Sequence, residues 1–157
     1  MQRSVTTTRD GSLRGRERGA PRRPSDVFRA REATIPAESA QIGRARAFAD
    51  AAANVFGFDQ DSRFAFRMAI SEVVANAIEH GSRSADDVVR LRAVEEEGAL
   101  AFYVTDVGSF MAPEALSGDA LRERGRGIEV IRWLMDELDV RPGYEGTVIR
   151  FAKRLSA

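Results

Sequence analysis

The clearest pattern along the chain is a helical repeat of apolar residues between positions 66 and 81, FRMAISEVVANAIEHG. The apolar residues follow the i, i+4, i+7, i+8, i+11 spacing of one buried helix face. They are Phe66, Ile70, Val73, Val74 and Ala77. Gly81 is the residue type that commonly follows the last helical position. The pattern predicts an amphipathic helix that ends before Gly81.

Two further helices are predicted from the same periodicity. One runs from about Ala37 to Val55 and is stopped by Gly57, and the other runs from Ile128 to Leu138. Asp61 or Ser62 is the expected N-cap of the central helix. Residues 109–124 have no strong period and contain Pro113 and Gly118, so they predict an irregular segment of the kind that often forms a lid.

Runs rich in apolar and β-branched residues predict five strands. These are Val27–Ile35, Val88–Glu95, Leu100–Thr105, Leu138–Arg141 and Gly146–Lys153, with a hairpin turn in EEGA and a turn at Pro142-Gly143. Helices and strands in this order predict an α+β fold. We expect a two-layer sandwich in which about three helices cover one face of a mixed, mostly antiparallel sheet.

The composition fits one globular domain over residues 27–157, because 43% of the 157 residues are apolar and 31% are charged. The chain has no cysteine, which excludes disulfides and thiolate metal sites. We expect no membrane span, because no apolar run approaches the ~18 to 20 residues that a span needs. The N-terminus lacks the apolar segment of a secretory signal, so a cytoplasmic location is the simplest expectation.

Residues 1–26 form an Arg-rich arm with seven arginines and three acidic residues, a net charge of +4. Such an arm can bind an acidic partner or nucleic acid. A disordered, solvated extension is the stronger interpretation, because the arm has no aromatic residue and no apolar period. The whole chain has a net charge of zero, so the rest carries about −4. Sequence-specific binding of nucleic acid is therefore not expected.

The polar face of the central helix carries Glu72, Asn76 and His80, spaced four residues apart. A solvated surface is the commoner explanation of such a face when it is considered alone. The chemical alternative is that Glu72 acts as a base or orienting group while the Asn76 side-chain oxygen binds a hard cation. His80 is expected to have a structural role at the carbonyl end of the helix.

Two glycine-containing motifs offer further candidate contacts. Asp106-Val107-Gly108 follows a strand, where the carboxylate can accept a hydrogen bond from an exocyclic amine and Gly108 permits close approach of a flat ligand. Gly125-Arg126-Gly127 precedes a helix, where exposed backbone N–H groups favour a phosphate. Each motif alone is common: Asp-x-Gly occurs in ordinary turns, and the second motif is neither a Rossmann nor a Walker A sequence.

Together and in this order, the motifs E-x-x-x-N-A-x-x-H-G, D-x-G, G-x-G before a helix, and Gly146-Thr147 resemble the GHKL superfamily of ATP-binding domains, which share the Bergerat fold. This group includes histidine kinases, type II topoisomerases, the mismatch-repair ATPase and the ninety-kilodalton heat-shock chaperone. The stretches SEVVANAIEHG and GRGIEVIRWLMDELDV are most similar to anti-sigma-factor serine/threonine kinases. The resemblance covers about residues 27 to 155.

The resemblance implies a role for each motif residue. Glu72 would be the general base and Asn76 would bind the Mg²⁺ that bridges the ATP phosphates. Asp106 would accept a hydrogen bond from the adenine amine, and Gly108 would admit the ring. The phosphate cradle would be Gly125, Arg126 and Gly127, and Thr147 would support the adenine end through Asp106 or a water. Phe110 stands where many members have a second glycine, which leaves the affinity for nucleotide open.

The implied function combines binding with catalysis. The protein would sequester a sigma factor and phosphorylate a serine or threonine of an anti-anti-sigma partner of the STAS type, using ATP and Mg²⁺, and would work as a homodimer. One alternative is a non-catalytic GHKL module that binds a regulator with weak or no ATP turnover. Another is the detached ATP-binding domain of a histidine kinase, against which the short lid and the lack of a phosphoacceptor helix count.

Overall fold

The computed structural model describes residues 28–81, 84, 86–106, 127–143 and 146–155. The strands are β1 Arg31–Pro36, β2 Val88–Glu96, β3 Ala99–Asp106, β4 Glu137–Gly143 and β5 Gly146–Arg154. The helices are α1 Ile42–Phe56, α2 Gln60–Asn76 and α3 over residues 127–134. A 3₁₀ turn, Ser39–Gln41, precedes α1, and a π-helical turn, Ala77–Gly81, extends α2. The predicted arm, the lid, Phe110 and Val27 lie outside the described residues.

The five strands form one sheet in the order β1-β2-β3-β5-β4. All four described pairings are antiparallel. The turn between β2 and β3 consists of Glu97 and Gly98, which both have positive φ, as a two-residue hairpin turn of matching twist requires. The predicted α+β layers are thereby confirmed, and β3 and β5 lie inside the sheet.

One face of the sheet packs against the helices, because the strands place alternate residues on opposite faces. On β3 the side chains of Leu100, Phe102 and Val104 enter this core, and all three are buried. Phe102 stacks on Phe151 and also contacts the ring of Phe66 from α2. The predicted apolar stripe of α2 is confirmed, since each of its five residues is buried. This packing fixes which face of α2 points away from the sheet.

The opposite sheet face is covered by its own long polar side chains. Arg150 donates to Glu96 at 2.7 and 2.9 Å, and the Tyr103 hydroxyl donates to the same carboxylate. Burial raises the pKa of Glu96, but these hydrogen bonds outweigh it and the net shift is downward. Alanines 99, 101 and 152 lie on this face and are at most 1% exposed. The charged side chains therefore cover a small apolar layer.

An ionic contact ties α1 to α2. Asp50 of α1 accepts hydrogen bonds from Arg63 at 2.5 Å and from Arg67 at 2.7 Å, both on α2. The hydrogen bond from Arg63 is the largest cause of a lowered pKa of the Asp50 carboxyl. The contact orients the outer face of α2 relative to α1.

No helix in the described ranges is long and apolar enough to span a membrane.

The predicted helix ends need three corrections. Asp59, rather than Asp61 or Ser62, caps α2, because its side chain accepts from the backbone N–H of Ser62 at 2.8 Å. Gly81 belongs to the π-helical turn and does not follow it. The helical conformation of α3 stops at residue 134, and Leu138 lies in β4. The stop of α1 at Gly57 is confirmed, with φ 104° and hydrogen bonds to the carbonyls of Ala53 and Asn54.

The predicted turn at Pro142-Gly143 is also wrong. Both residues belong to β4 and pair with Thr147 and Gly146 of β5. β4 thus continues to Gly143, and the β4–β5 pairing continues up to Gly146. This extra length places Gly146 and Thr147 beside the end of β3.

Candidate functional site

Glu72 and Asn76 lie on the outer side of the last turns of α2. The buried stripe faces the sheet and the Asp59 cap sets the start of the helix, so these two polar side chains stay half-buried at the surface. Residues four apart lie above one another on a helix. The carboxylate and the carboxamide therefore project from neighbouring positions of one row.

Gly127, the first described residue of α3, lies directly against both side chains. A Cβ at this position would lie 3.1 Å from Glu72 Oε2 and 3.3 Å from Asn76 Nδ2. The absence of a side chain at Gly127 lets the start of α3 approach the carboxylate and the carboxamide this closely. Two chain segments separated by about fifty residues thus meet at one place.

Asp106 lies at the end of β3 and is 7% exposed. Its Oδ1 accepts a hydrogen bond of 2.8 Å from the backbone N–H of Thr147 on β5. A buried carboxylate needs hydrogen-bond donors. The Thr147 N–H on the neighbouring strand is such a donor, and it holds the Asp106 carboxylate in a fixed orientation. The contact with Thr147 comes from the backbone of that residue and not from its hydroxyl.

Gly146 is a site residue to which the sequence analysis assigned no role. Its φ is 133°, and a Cβ there would collide with the Asp106 carbonyl oxygen and lie 2.5 Å from Asp106 Oδ1. Only glycine fits this conformation and this close approach. The sequence pair Gly146-Thr147 could have indicated this role. The glycine makes room for the Asp106 carboxylate, and the N–H of the next residue donates to it.

The structure thus brings together Glu72, Asn76 and Gly127 in one group, and Asp106 with Thr147 in another. The π-helical turn at the end of α2 contacts β3 and β5, the strands that carry the second group. Gly108, Gly125 and Arg126 lie outside the described residues. His80 lies in the π-helical turn, half-buried, with Nε2 3.8 Å from a carboxylate oxygen of Glu79.

The donor set near Glu72 suits a metal that is held mainly by a ligand. Among the described residues there is no group of three or more acidic or histidine side chains that could hold a metal by itself. Mg²⁺ commonly takes one or two protein oxygens, with phosphate oxygens and waters completing its shell. The Asn76 carboxamide beside Glu72 is compatible with this pattern, and Asn76 would be the residue to hold such an ion.

Comparison with known proteins places this arrangement in a family. The model of the histidine kinase-like ATPase domain matches residues 35–153, which is most of the chain. The chain therefore belongs to the histidine kinase-like ATPase domain family, within the GHKL superfamily. A search of curated proteins gave no match.

Solved structures share the fold. The RsbU and RsbW domains of Rv1364c from Mycobacterium tuberculosis match with a TM-score of 0.65 at 22% identity, over 83% of this chain and 33% of that chain. The histidine kinase domain of the blue-light activated histidine kinase from Erythrobacter litoralis EL346 gives 0.50 at 26% identity, over 77% and 62%. A second structure of that kinase gives 0.51 at 23%, over 78% and 42%. The chain thus spans less than two thirds of each of these structures.

Proposed function

We propose that this chain is an ATP-dependent protein serine/threonine kinase that also binds a sigma factor, and that its phosphoacceptor is a STAS-type anti-anti-sigma protein. The observation that carries the proposal is the meeting of Glu72, Asn76 and Gly127 in a chain of the histidine kinase-like ATPase family. The sequence similarity to anti-sigma kinases supports the choice of partners. A homodimer and a cytoplasmic location belong to the same proposal.

The proposed reaction transfers the γ-phosphoryl group of ATP to a hydroxyl. The hydroxyl oxygen of the acceptor forms a bond to the γ-phosphorus, the bond from that phosphorus to the β,γ-bridging oxygen breaks, and ADP leaves. The Glu72 carboxylate takes the hydroxyl proton. Such a transfer depends mainly on positioning and charge neutralisation. The contact between Gly127 and Glu72 provides positioning, because it fixes the base relative to the start of α3.

Two ends of the nucleotide have candidate partners. Asp106, oriented by the Thr147 N–H, would accept a hydrogen bond from the adenine amine, and Gly108 would leave room for the ring. Gly127 in α3, with Gly125 and Arg126 before it in the sequence, would bind phosphates through backbone N–H groups. Mg²⁺ held at Asn76 would neutralise phosphate charge when bound.

The test combines nucleotide binding with phosphoryl transfer. ATP at about 100 times its Kd should raise the stability of the protein by ~2.7 kcal/mol, and Asp106→Asn should reduce this gain. Purified STAS-domain proteins from the same genome are then incubated one at a time with labelled ATP and Mg²⁺. Glu72→Gln should slow label transfer by ~10² to 10⁴ while ATP still stabilises the variant.

Three outcomes would contradict parts of this proposal. Stabilisation by ATP without transfer to any STAS-domain protein would favour a non-catalytic regulatory module. Transfer that Glu72→Gln does not slow would remove Glu72 as the base. Label found on histidine, with none on serine or threonine, would favour a histidine kinase domain.

A further inference from the structure

We propose that an exposed apolar surface beside Glu72 is the docking site for the protein that receives the phosphoryl group. The surface consists of Phe64 and Met68 on α2 and Val130 and Trp133 on α3, and we call it the α2–α3 patch. This inference rests on the proposed kinase function, because it assigns the place where the acceptor protein binds. Its occupant is a folded protein with an apolar surface next to the accepting serine or threonine.

The four side chains are unusually exposed for their type. Trp133 is 90% exposed, Phe64 54%, Val130 40% and Met68 37%. Large apolar residues usually lie inside, and clustered exposed ones mark interaction sites. Trp133 is the single tryptophan of the chain. Tryptophan is also among the residues that most often dominate binding energy at protein interfaces.

The half of the patch on α2 leads directly to the candidate base. Phe64, Met68 and Glu72 are spaced four residues apart, so they lie in one row on the same side of α2. At 1.5 Å per residue, Met68 lies ~6 Å and Phe64 ~12 Å from Glu72 along the helix axis. A protein bound over these side chains would reach Glu72 without crossing another part of α2.

The half on α3 extends in the same direction from the same point. Gly127 at the start of α3 contacts Glu72 near the end of α2. At the other end of α3, the Leu134 carbonyl accepts from Lys153 Nζ at 3.1 Å. Lys153 follows Phe151 on β5 by two residues, and Phe151 stacks on Phe102, which contacts Phe66 in the first half of α2. The two helices therefore run in opposite directions side by side.

In this arrangement the exposed residues of the two helices lie at comparable distances, along the helix axes, from the place where Gly127 meets Glu72. Val130 lies ~4.5 Å and Trp133 ~9 Å along α3 from Gly127. On α2, Met68 and Phe64 lie ~6 Å and ~12 Å from Glu72, so the two sets of distances overlap. The patch thus covers the outer surface of both helices on one side of the catalytic carboxylate.

The size of the patch identifies the kind of partner. Full aromatic side chains bury ~150 to 250 Å², so the exposed parts of Trp133 and Phe64 together offer roughly 300 Å². A stable interface needs ~800 Å² on each partner, whereas transient encounters use less. The patch is therefore large enough to anchor a substrate that binds and leaves, and too small by itself for a permanent dimer.

The experiment measures the KM for the acceptor protein separately from the KM for ATP. Trp133→Ala and Phe64→Ser should raise the KM for the acceptor ~10-fold or more and leave the KM for ATP and the kcat nearly unchanged. Val130→Ser is compared with Val140→Ser, a matched control, because Val140 is similarly exposed, at 43%, but lies on β4. The control should leave both KM values unchanged.

Binding is also followed without catalysis, through the fluorescence of Trp133. STAS-domain proteins whose own tryptophans are replaced by phenylalanine are titrated into the wild type and into Phe64→Ser. Docking on the patch should shift the emission of Trp133 to shorter wavelength, and Phe64→Ser should require ~10-fold more partner for the same shift.

The outcomes separate the two proposals. Transfer with an unchanged acceptor KM in the patch variants would overturn the docking site and leave the kinase intact. If no acceptor is phosphorylated, the kinase proposal fails, and the patch is overturned as an acceptor site. The fluorescence titration then shows whether the patch binds a protein at all: a shift weakened by Phe64→Ser would assign it to a partner that is not phosphorylated, and no shift would remove the docking site altogether. An emission shift that depends on the concentration of the kinase alone would assign the patch to self-association and would overturn the proposal.

Discussion

Gly127→Ala tests whether the close approach of α3 sets the position of the base. The new Cβ would lie 3.1 Å from Glu72 Oε2, which is 0.3 Å inside the 3.4 Å at which ordinary contact begins. The atoms in the way are the ends of two side chains, so they can move. If a misplacement of ~1 Å costs ~10² in rate, a shift of this size scales to roughly 4-fold. Complete loss of the base, ~10² to 10⁴, is the upper limit.

The stability of Gly127→Ala should rise slightly or stay nearly unchanged, although its activity falls. Alanine is favoured over glycine in a helix by up to ~1 kcal/mol, which offsets the strain of moving the two side chains. Gly43→Ala is the matched control, because Gly43 also lies in a helix and a Cβ there would meet nothing within 4 Å. Its kcat should equal that of the wild type.

The assay is label transfer at saturating ATP and acceptor, together with thermal unfolding of both variants. We expect Gly127→Ala to lower the kcat several-fold at nearly unchanged stability, while Gly43→Ala retains full activity. Equal kcat values for the two variants would refute the reasoning, because they would show that the contact of Gly127 with Glu72 does not position the carboxylate.

Three further substitutions test the fold around the site. Gly146→Ala should cost at least ~2 kcal/mol more in urea unfolding than Gly98→Ala, because both have positive φ but only Gly146 lies against the backbone of Asp106, whereas the space around Gly98 is open. Equal losses would remove the collision as the cause. Asp50→Asn should destabilise the protein by ~1 kcal/mol at pH 7. Because the folded pKa of Asp50 is lowered below its ordinary 3.8, this difference is complete above that value and is lost as the pH falls through the lower folded pKa, so it should be smaller at pH 3 than at pH 7 in unfolding measurements. A difference as large at pH 3 as at pH 7 would exclude the ionised carboxylate as its source. Phe102→Ala should cost ~3 to 5 kcal/mol in the same assay, since Phe102 is fully buried among three other rings, and a loss below ~1 kcal/mol would show that the core refills the space.

The elements that sequence patterns predict well are those with a long local period. The stripe from Phe66 to Ala77 and the alternation on β2 and β3 each repeat a single burial rule, so packing and pattern agree. The N-cap of α2 was missed because Asp59, Asp61 and Ser62 are all good caps within four positions. Burial of Phe58 in the core fixes where the chain enters the helix, and this tertiary contact is absent from local sequence.

The end of α3 shows the same limitation. Met135 and Leu138 continue the helical spacing, so the period alone extends the helix to Leu138. The structure ends it at residue 134 because the Asp136 N–H bonds to the carbonyl of Ala152 on β5, and β4 then begins at Glu137. Long-range strand pairing outweighs local periodicity at this point.

The site could be predicted only in part. The row of Glu72 and Asn76 follows from helix geometry, but the meeting of Glu72 with Gly127 joins segments that no spacing rule relates. Family resemblance suggested that these segments act together, and the fold gives the physical reason, which is the open space at Gly127. The role of Gly146 required the observed φ and its neighbours.

The π-helical turn at Ala77–Gly81 also changes the angular positions, around the helix axis, of the residues within and after it. An α-helix turns by roughly 100° per residue, and the wider i→i+5 turn by roughly 80°, so four residues accumulate a difference of roughly 80°. His80 is thereby rotated out of the row that holds Glu72 and Asn76, although its sequence spacing places it there. The turn accommodates about one residue more than an α-helical turn would. A single-residue deletion within it should restore the α-helical phase and change where the chain leaves the helix.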